Sequence, residues 1–274
     1  YDPKGAMAPV LRSLGLTPIP VADLAAIPAS VQVLVVGPDA IREEDSSSTR
    51  RAAWTREGKR AVVLDQAHPL KFQAIPAEVN AAQNRGAFAF PEDASHPALR
   101  GVQALDLQAW PGQAQAWSYR NAYDKPTRGA RSLIQCDRRL GSSALVEVPV
   151  GTGLMLLSQM RVGDAVASSA GARRLLVNLI DHAVAYRFAT LPTTLVAPAG
   201  SQLAKAVAAT GVRFTAGSDV VAALAKPGVV VADASPANLA KIVSAKAQLD
   251  KFTASGGTLL LHGLTPVGLA DYNR

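Results

Sequence analysis

One pattern of residues occurs twice in this chain. Asp2-Pro3-Lys4-Gly5 precedes an apolar, helix-like run and then the continuous apolar run Val33–Val36. Ala197-Pro198-Ala199-Gly200 precedes a second helix-like run and then Val229–Val231. Continuous apolar runs are typical of parallel strands buried on both faces, and strands that alternate with helices predict right-handed βαβ units. The chain is therefore constrained to an α/β fold in which one strand–helix–strand unit is repeated.

The predicted architecture is a doubly wound, mostly parallel sheet of the flavodoxin or amidotransferase type, followed by a partial second copy of the same unit. A β-hairpin is predicted in the first copy, where Ala144–Val150 and Leu154–Gln159 flank a Gly-Thr-Gly turn. We expect a first α/β domain over residues 1–189 and the start of a second, related domain over residues 190–274. With 274 residues, of which 49% are hydrophobic, the chain can bury a sizeable core.

The two copies differ at their beginnings. The β-prone run Thr193–Val196 predicts an opening strand for the second copy, whereas only Tyr1 precedes Asp2 in the first. We therefore expect the first domain to lack its first strand, and the chain to be an excerpt from a longer polypeptide. An incomplete sheet of this kind has an open edge that another strand can occupy.

Composition and motifs argue against several functions. The net charge of +7 is spread along the chain, and a local group of arginines lacks the interleaved aromatic residues of a nucleic-acid site. No apolar run is long enough to span a membrane, so neither nucleic acid nor membrane is an expected partner. The single cysteine, Cys136, cannot form an internal disulfide. Because no Cys/His cluster has metal spacing and no glycine-rich phosphate loop occurs, we predict neither a metal nor a cofactor.

The ends of the predicted strands supply the catalytic candidates, because ligands gather beyond the C-terminal ends of open parallel sheets. Asp65 and His68 follow the second predicted strand, a carboxylate and an imidazole three residues apart. A general base needs a nucleophile within reach, and none is evident. The favoured interpretation is that Asp65 caps the turn or orients His68. His96 and His182 are interpreted as a loop residue and a helix-face residue.

Residues 65–131 are rich in proline and aromatic residues, which predicts a long excursion with little regular structure. Such segments are often functional or form interfaces. The candidate ligand-binding or interface residues here are Trp110, Trp117, Tyr119 and Tyr123. Exposed aromatic side chains anchor protein interfaces or stack on sugar rings. The alternative is that they pack the excursion onto its own core.

The order of elements resembles the class I glutamine amidotransferase-like fold. Active members carry a cysteine on a nucleophile elbow after the buried strand, where this chain has Leu64-Asp65-Gln66. They also carry a His and a Glu just after the Gln that ends the late strand, whereas Gln159 is followed by Met160-Arg161-Val162. Cys136 lies in a different strand without a flanking glycine, and is interpreted as a small buried hydrophobe. The resemblance therefore implies a catalytically empty member of the fold.

A narrower resemblance covers residues 88–186. The segments that carry it are, in chain order, Phe90–Gly101 with its His-Pro pair, Asp106-Leu107 with Trp110, Leu145–Pro149, Gly151-Thr152-Gly153 and Gln159. This series is similar to accessory domains of large bacterial glycoside hydrolases of the β-galactosidase type. This resemblance implies a non-catalytic domain beside sugar-cleaving and jelly-roll domains, whose carboxylates have no counterpart here. It also implies a periplasmic or extracellular location.

The leading functional hypothesis is a non-catalytic structural or interaction module of a larger glycoside hydrolase. Its expected partners are other domains of the same polypeptide, or an oligomer contact. One alternative is a carbohydrate-binding module that uses the aromatic residues of the excursion to bind an oligosaccharide. A second is a stand-alone hydrolase using Asp65 and His68, and a third is a small-molecule sensor at the strand ends. Whether this chain is itself an enzyme stays open at this point.

Overall fold

The computed structural model describes residues 1–47, 49–71, 79–110 and 116–273. The chain divides into two compact units, Tyr1–Phe188 and Ala189–Arg274. This boundary lies one residue before the predicted division after residue 189. Both units combine helices with a sheet, so the α/β class is confirmed. None of the helices in the described ranges is long and apolar enough to cross a membrane.

The strands of the first unit are β1 (Val33–Val36), β2 (Arg60–Val63), β3 (Arg85–Gly86), β4 (Ala89–Pro91), β5 (Tyr119–Arg120), β6 (Tyr123–Asp124), β7 (Arg131–Cys136), β8 (Ser142–Val150) and β9 (Gly153–Ser158). The main sheet has the order β1-β2-β9-β8-β7-β4, and β6 also pairs with β8. The pairs β1–β2 and β2–β9 are parallel, whereas those from β9 to β4 are antiparallel. The antiparallel pair β8–β9 is the predicted hairpin.

The helices of the first unit are α1 (Met7–Ser13), α2 (Arg50–Arg56), α3 (Val162–Ala165) and α4 (Ala170–Ala185), with 3-10 helices at Pro97–Leu99 and Ala104–Leu107. Successive residues of β9 point to opposite faces of the sheet. Leu154 and Leu156 join the core formed with α1 and α4, while Met155 and Leu157 join a second core with α2. Both faces of the sheet are therefore covered, as the continuous apolar run predicts.

Side chains near the helix starts set their boundaries. The predicted helix over residues 5–16 is α1, and the carboxylate of Asp2 accepts hydrogen bonds from the N–H groups of Met7 and Ala8. The helix predicted from Ala165 begins at residue 170, because Ser169 caps it by accepting from Ala172 N–H. The turns before that point form the short α3.

The second unit has a fully parallel sheet. Its strands are β10 (Thr193–Val196), β11 (Thr215–Ala216), β12 (Val229–Asp233) and β13 (Thr258–His262), in the order β11-β10-β12-β13. Its helices are α5 (Gln202–Ala209), α6 (Val220–Leu224), α7 (Pro236–Ser244), α8 (Lys246–Ala254) and α9 (Pro266–Tyr272). The strand predicted at Thr193–Val196 is thus the second strand from one edge of this sheet.

Candidate functional site

The loops that follow β1 and β2 lie side by side, because parallel strands end at the same edge of a sheet. Asp39 N–H donates to the carbonyl of Asp65 at 3.0 Å, which joins the two loops. The Asp65 side chain is 1% exposed and that of Asp39 is 29% exposed. Two carboxylates therefore meet at the position where ligands bind in open parallel sheets.

Arg120 from β5 binds both carboxylates. Its Nε donates to Asp65 Oδ2 at 2.9 Å, and its Nη2 lies 2.7 Å from both Asp65 Oδ2 and Asp39 Oδ1. Asp39 also accepts from Ala67 N–H at 2.7 Å. This Asp39–Arg120–Asp65 cluster closes the strand ends with an internal ion pair, in which the second oxygen of Asp65, Oδ1, is buried without a hydrogen bond to any described residue.

The charges of this cluster are unequally stabilised. Burial raises the pKa of Asp65 to about 6, and the nearby Arg120 guanidinium only partly offsets this effect. Burial acts in the same direction on Asp39, but its hydrogen bond with Arg120 and the charge of Arg120 outweigh it and lower the pKa. The ionised form of Asp39 is therefore favoured by its surroundings, whereas the ionised form of Asp65 is disfavoured by its burial.

Gln66 fills the position directly after the buried strand. Its side-chain Nε2 donates to the carbonyls of Gly37 and Leu64, at 2.8 and 2.6 Å, and its Oε1 accepts from Ile41 N–H. Gln159, at the end of β9, accepts from Gln66 N–H at 2.9 Å and donates back to the Gln66 carbonyl. Both amides are buried, so the place of an exposed nucleophile is held by a closed hydrogen-bond network.

His68 does not join this cluster. Within the described residues, no hydrogen bond joins it to Asp65, whose carboxylate is bound by Arg120 instead. His68 is partly exposed and lines a polar cavity with Asn80, Asn84 and Asn121. The structure therefore does not bring the two catalytic candidates together, because Asp65 is bound by Arg120 and does not line the cavity that His68 lines.

Three of the four candidate aromatic residues are buried, which corrects their assignment as exposed anchors and favours the alternative in which they pack the excursion onto its own core. Trp110, Tyr119 and Tyr123 are 2%, 3% and 1% exposed. Trp110 donates its indole N–H to the carbonyl of Asp106, and Tyr119 accepts from Asp137 N–H. Within its described residues the excursion contributes four short strands and two 3-10 helices, and these three aromatic side chains pack between those elements and the sheet.

Trp117 is the exception among these aromatic residues. It is partly exposed, and the guanidinium of Arg85 lies 4.1 Å from the centre of one of its rings. Arg85 also lines the polar cavity that contains His68. Trp117 is therefore the aromatic candidate that a ligand or partner can still reach.

Cys136 is fully buried, which confirms its interpretation as a small apolar residue. Burial, with the charge of Asp137 adding to it, raises the pKa of its thiol to about 12. The side chain remains a neutral thiol at physiological pH and lacks the thiolate that a nucleophile requires.

Two histidines that looked unrelated in the sequence meet at Glu147 of β8. Glu147 Oε2 lies 2.7 Å from His182 Nε2 on α4 and 3.3 Å from His96 Nε2 before the first 3-10 helix. The three side chains are 12%, 13% and 6% exposed. Burial acts to raise the pKa of Glu147, but the hydrogen bonds from His182 and His96 outweigh it and lower the pKa to about 2. Glu147 is therefore ionised and accepts from both rings.

The same trio has the residue types of a metal site, since its ligand atoms lie within 4.8 Å of one another. A neutral imidazole donates from one nitrogen and accepts at the other. His96 Nδ1 accepts from Ala98 N–H at 3.2 Å, so its Nε2 carries the proton and donates to Glu147. A metal ligand must be deprotonated. The hydrogen bonding therefore favours a proton-bridged trio that ties β8, α4 and the excursion together.

No protein-family model and no curated protein matches the chain. Among solved structures, the cytoplasmic protein STM3548 from Salmonella typhimurium aligns with a TM-score of 0.37 and 11% sequence identity. The alignment covers 58% of this chain and 77% of that protein. Similarity of this degree supports no functional assignment.

Proposed function

We propose that this chain is a non-catalytic structural and interaction module of a larger carbohydrate-active enzyme, a glycoside hydrolase. Its second unit would be the start of a copy of the first. The observation that carries the proposal is the closed strand edge, where Asp65 is bound by Arg120 and Gln66 is held by Gln159. In open α/β sheets this edge presents the reacting groups. Here it is filled by hydrogen bonds internal to the fold.

The other nucleophile candidate supports the same conclusion. Cys136 is the last residue of β7 and is 0% exposed, so its thiol stays inside the fold although a turn follows it. The amidotransferase-like interpretation therefore fits a member whose catalytic positions have become part of the core. A module of this kind acts through its surface and not through a pocket.

The surface candidates lie on the excursion. Phe88 is 60% exposed and Leu105 is 79% exposed, and Trp117 is partly exposed. We assign these three side chains, in place of the buried aromatic residues, to contacts with other domains of the same polypeptide. Aromatic and large apolar side chains are the usual anchors of such contacts.

A second candidate function is carbohydrate binding beside Trp117. The polar cavity next to the Arg85–Trp117 stack is lined by the amide side chains of Asn80, Asn84 and Asn121. Planar amides and a guanidinium donate to and accept from sugar hydroxyls, and an indole ring offers a stacking face. This candidate places the sugar at the cavity and not on the buried aromatic residues.

One set of assays separates these functions. The chain, Asp65→Asn and His68→Ala are tested for hydrolysis of aryl glycosides, aryl esters and glutamine, and we expect all three to equal the buffer blank. Turnover that falls in either variant would establish the stand-alone hydrolase instead. Thermal shift with galactosides and other oligosaccharides is run in parallel. A saturable shift that is lost in Trp117→Ala and kept in Phe88→Ala would establish the carbohydrate-binding module.

A further inference from the structure

The backbone of Tyr1 lies beside β1 as the last residue of a parallel strand would. Its amino group donates to the carbonyl of Val35 at 2.8 Å, and its carbonyl accepts from Gly37 N–H at 2.9 Å. These two bonds are the pattern of a parallel ladder in which one residue sits opposite Val36. The free side of β1 is therefore already used for pairing at its C-terminal end.

The rest of the free side of β1, before its C-terminal end, borders an open cavity. Because alternate residues of a strand turn their N–H and C=O groups to opposite sides, Val33 and Val35 face this side while Leu34 and Val36 face β2. Consistent with this, Leu64 N–H donates to Val36 and Arg60 N–H donates to Gln32. The backbone groups of Val33 and the N–H of Val35 thus point into the cavity.

The cavity has the dimensions and the lining of a strand position. Its volume is about 430 Å³, and it runs between Val31–Val35 on one side and Thr17–Val21 on the other. Met7 and Leu11 of α1 and Ile180 of α4 form its apolar floor. Five residues of a strand span about 16 Å, which is the length of Val31–Val35 itself. Val33 and Val35 are only partly buried, although they belong to an otherwise apolar strand.

The second unit shows such a position occupied. There β10 lies between β11 and β12, with Val196 opposite Ala232 and Thr194 opposite Val230. Val196, the last residue of β10, is followed by the same Pro and Gly spacing that follows Tyr1. The sequence around Tyr1 thus matches the end of a strand that the second unit contains in full.

We infer that the first sheet takes one further strand, an apolar segment of about four residues that runs parallel to β1 and enters the chain at the amino side of Tyr1. Such a segment fills the cavity with its side chains and pairs with the N–H groups of Val35 and Val33. It would place β1 inside the sheet, as β12 is placed in the second unit. The pKa of the Tyr1 amino group is lowered by burial, and a peptide N–H makes the same bond to Val35 without a charge.

The apolar extension for the test is Pro-Thr-Thr-Leu, the four residues that precede Val196, placed before Tyr1 so that the register of the second unit is kept. It is compared with a Gly-Ser-Gly-Ser extension of equal length. In a parallel ladder, four residues bring carbonyl partners to the N–H groups of both Val35 and Val33. We expect the apolar extension to raise Tm by at least about 4 °C. We also expect it to slow amide hydrogen exchange at Val33 and Val35 about tenfold or more relative to the Gly-Ser extension.

Val35→Pro supplies the second arm, because it removes an N–H that faces the cavity while the bonds of β1 to β2 stay in place. In the Val35→Pro protein, the apolar extension should raise Tm little more than the Gly-Ser extension does. Equal Tm and exchange for the two extensions would overturn the inference. A dimer formed only by the apolar extension would also overturn it, since the strand would then serve another copy of the chain. Neither outcome depends on whether the module binds sugar or has turnover.

Discussion

Replacing Glu147 by Gln tests whether the two histidines are held by an ionised carboxylate. Glu147 Oε2 accepts from His182 at 2.7 Å and from His96 at 3.3 Å, in a site where all three side chains are largely buried. A hydrogen bond to a charged group contributes about 1.5–3 kcal/mol and a neutral one about 1 kcal/mol. Gln keeps one acceptor oxygen, so the substitution should cost about 2–3 kcal/mol at pH 7.

The acid dependence gives an independent value for the same interaction. The pKa of Glu147 falls from an ordinary 4.5 to about 2, which corresponds to roughly 3 kcal/mol in favour of the ionised form. Because the pKa is lower in the folded state, this stabilisation is fully present above pH 4.5 and is lost as the pH falls toward 2. The difference between the wild type and Glu147→Gln should therefore shrink across that window.

The assay is urea unfolding of the wild type and Glu147→Gln at pH 7, 5, 4 and 3. Glu92→Gln is the matched control, since Glu92 pairs with Lys125 at 2.7 Å but is 30% exposed. A surface pair of this kind contributes up to about 1 kcal/mol. A Glu147→Gln variant within about 0.5 kcal/mol of the wild type at pH 7 would refute the reasoning. So would a larger difference that stayed constant down to pH 3.

Three further substitutions, with Gly141→Ala as a control, test the closed strand edge and the hairpin. At pH 8, Asp65→Asn should not lower the free energy of unfolding by more than about 1 kcal/mol, because the pKa of about 6 shows that the site favours a neutral group. Arg120→Gln should cost about 3 kcal/mol, because it leaves the buried carboxylate of Asp65 without its cation. In urea titrations at several pH values, the stability of the wild type should also fall as the pH rises from 3.8 to about 6, and this trend should be absent in Asp65→Asn. A steeper fall in the variant would contradict the raised pKa of Asp65. Gly153→Ala should cost at least about 2 kcal/mol, because its new Cβ would lie 2.0 Å from the Thr55 carbonyl oxygen. The control Gly141→Ala should cost less than about 1 kcal/mol, because the nearest atom to its new Cβ lies at 3.7 Å. Equal Tm values for the two variants would show that the backbone at Gly153 moves to accept the methyl group.

The elements that the sequence predicts well are those whose residues face one environment along their whole length. β9 is buried at every position because it is covered on both faces, and α4 has one apolar stripe toward the core. Their boundaries depended on single side chains, as at Ser169. The predicted hairpin is likewise a local feature, in which the turn and both strands are adjacent in the chain.

The candidate site was harder to predict, because its contacts join distant segments. Gln66 and Gln159 are 93 residues apart, and Arg120 reaches Asp65 across 55 residues. Arg120 lies between Tyr119 and Tyr123 in a proline-rich segment, where no periodicity predicts which way its side chain points. Alternation along a strand offered one usable signal, since burial of Tyr119 turns its neighbour Arg120 the opposite way.

The sequence left the position of the aromatic residues open for a related reason. Proline-rich segments usually run over the surface, but large aromatic side chains are usually buried, so Trp110 and Tyr123 could be exposed anchors or part of the core. In this fold the excursion is packed on the sheet and supplies part of the core. A segment without regular structure can still bury large side chains when short strands such as β6 pair with the main sheet.

The burial of the one cysteine makes the protein its own reporter of unfolding. Cys136 is the last residue of β7, between Ala89 of the edge strand β4 and Ser142 of β8, and it has no exposed surface. A thiol reagent can reach it only when those strands separate. The rate of labelling of the unmodified chain therefore measures how often the β4–β7–β8 part of the sheet opens, without a dye, a tag or an introduced residue.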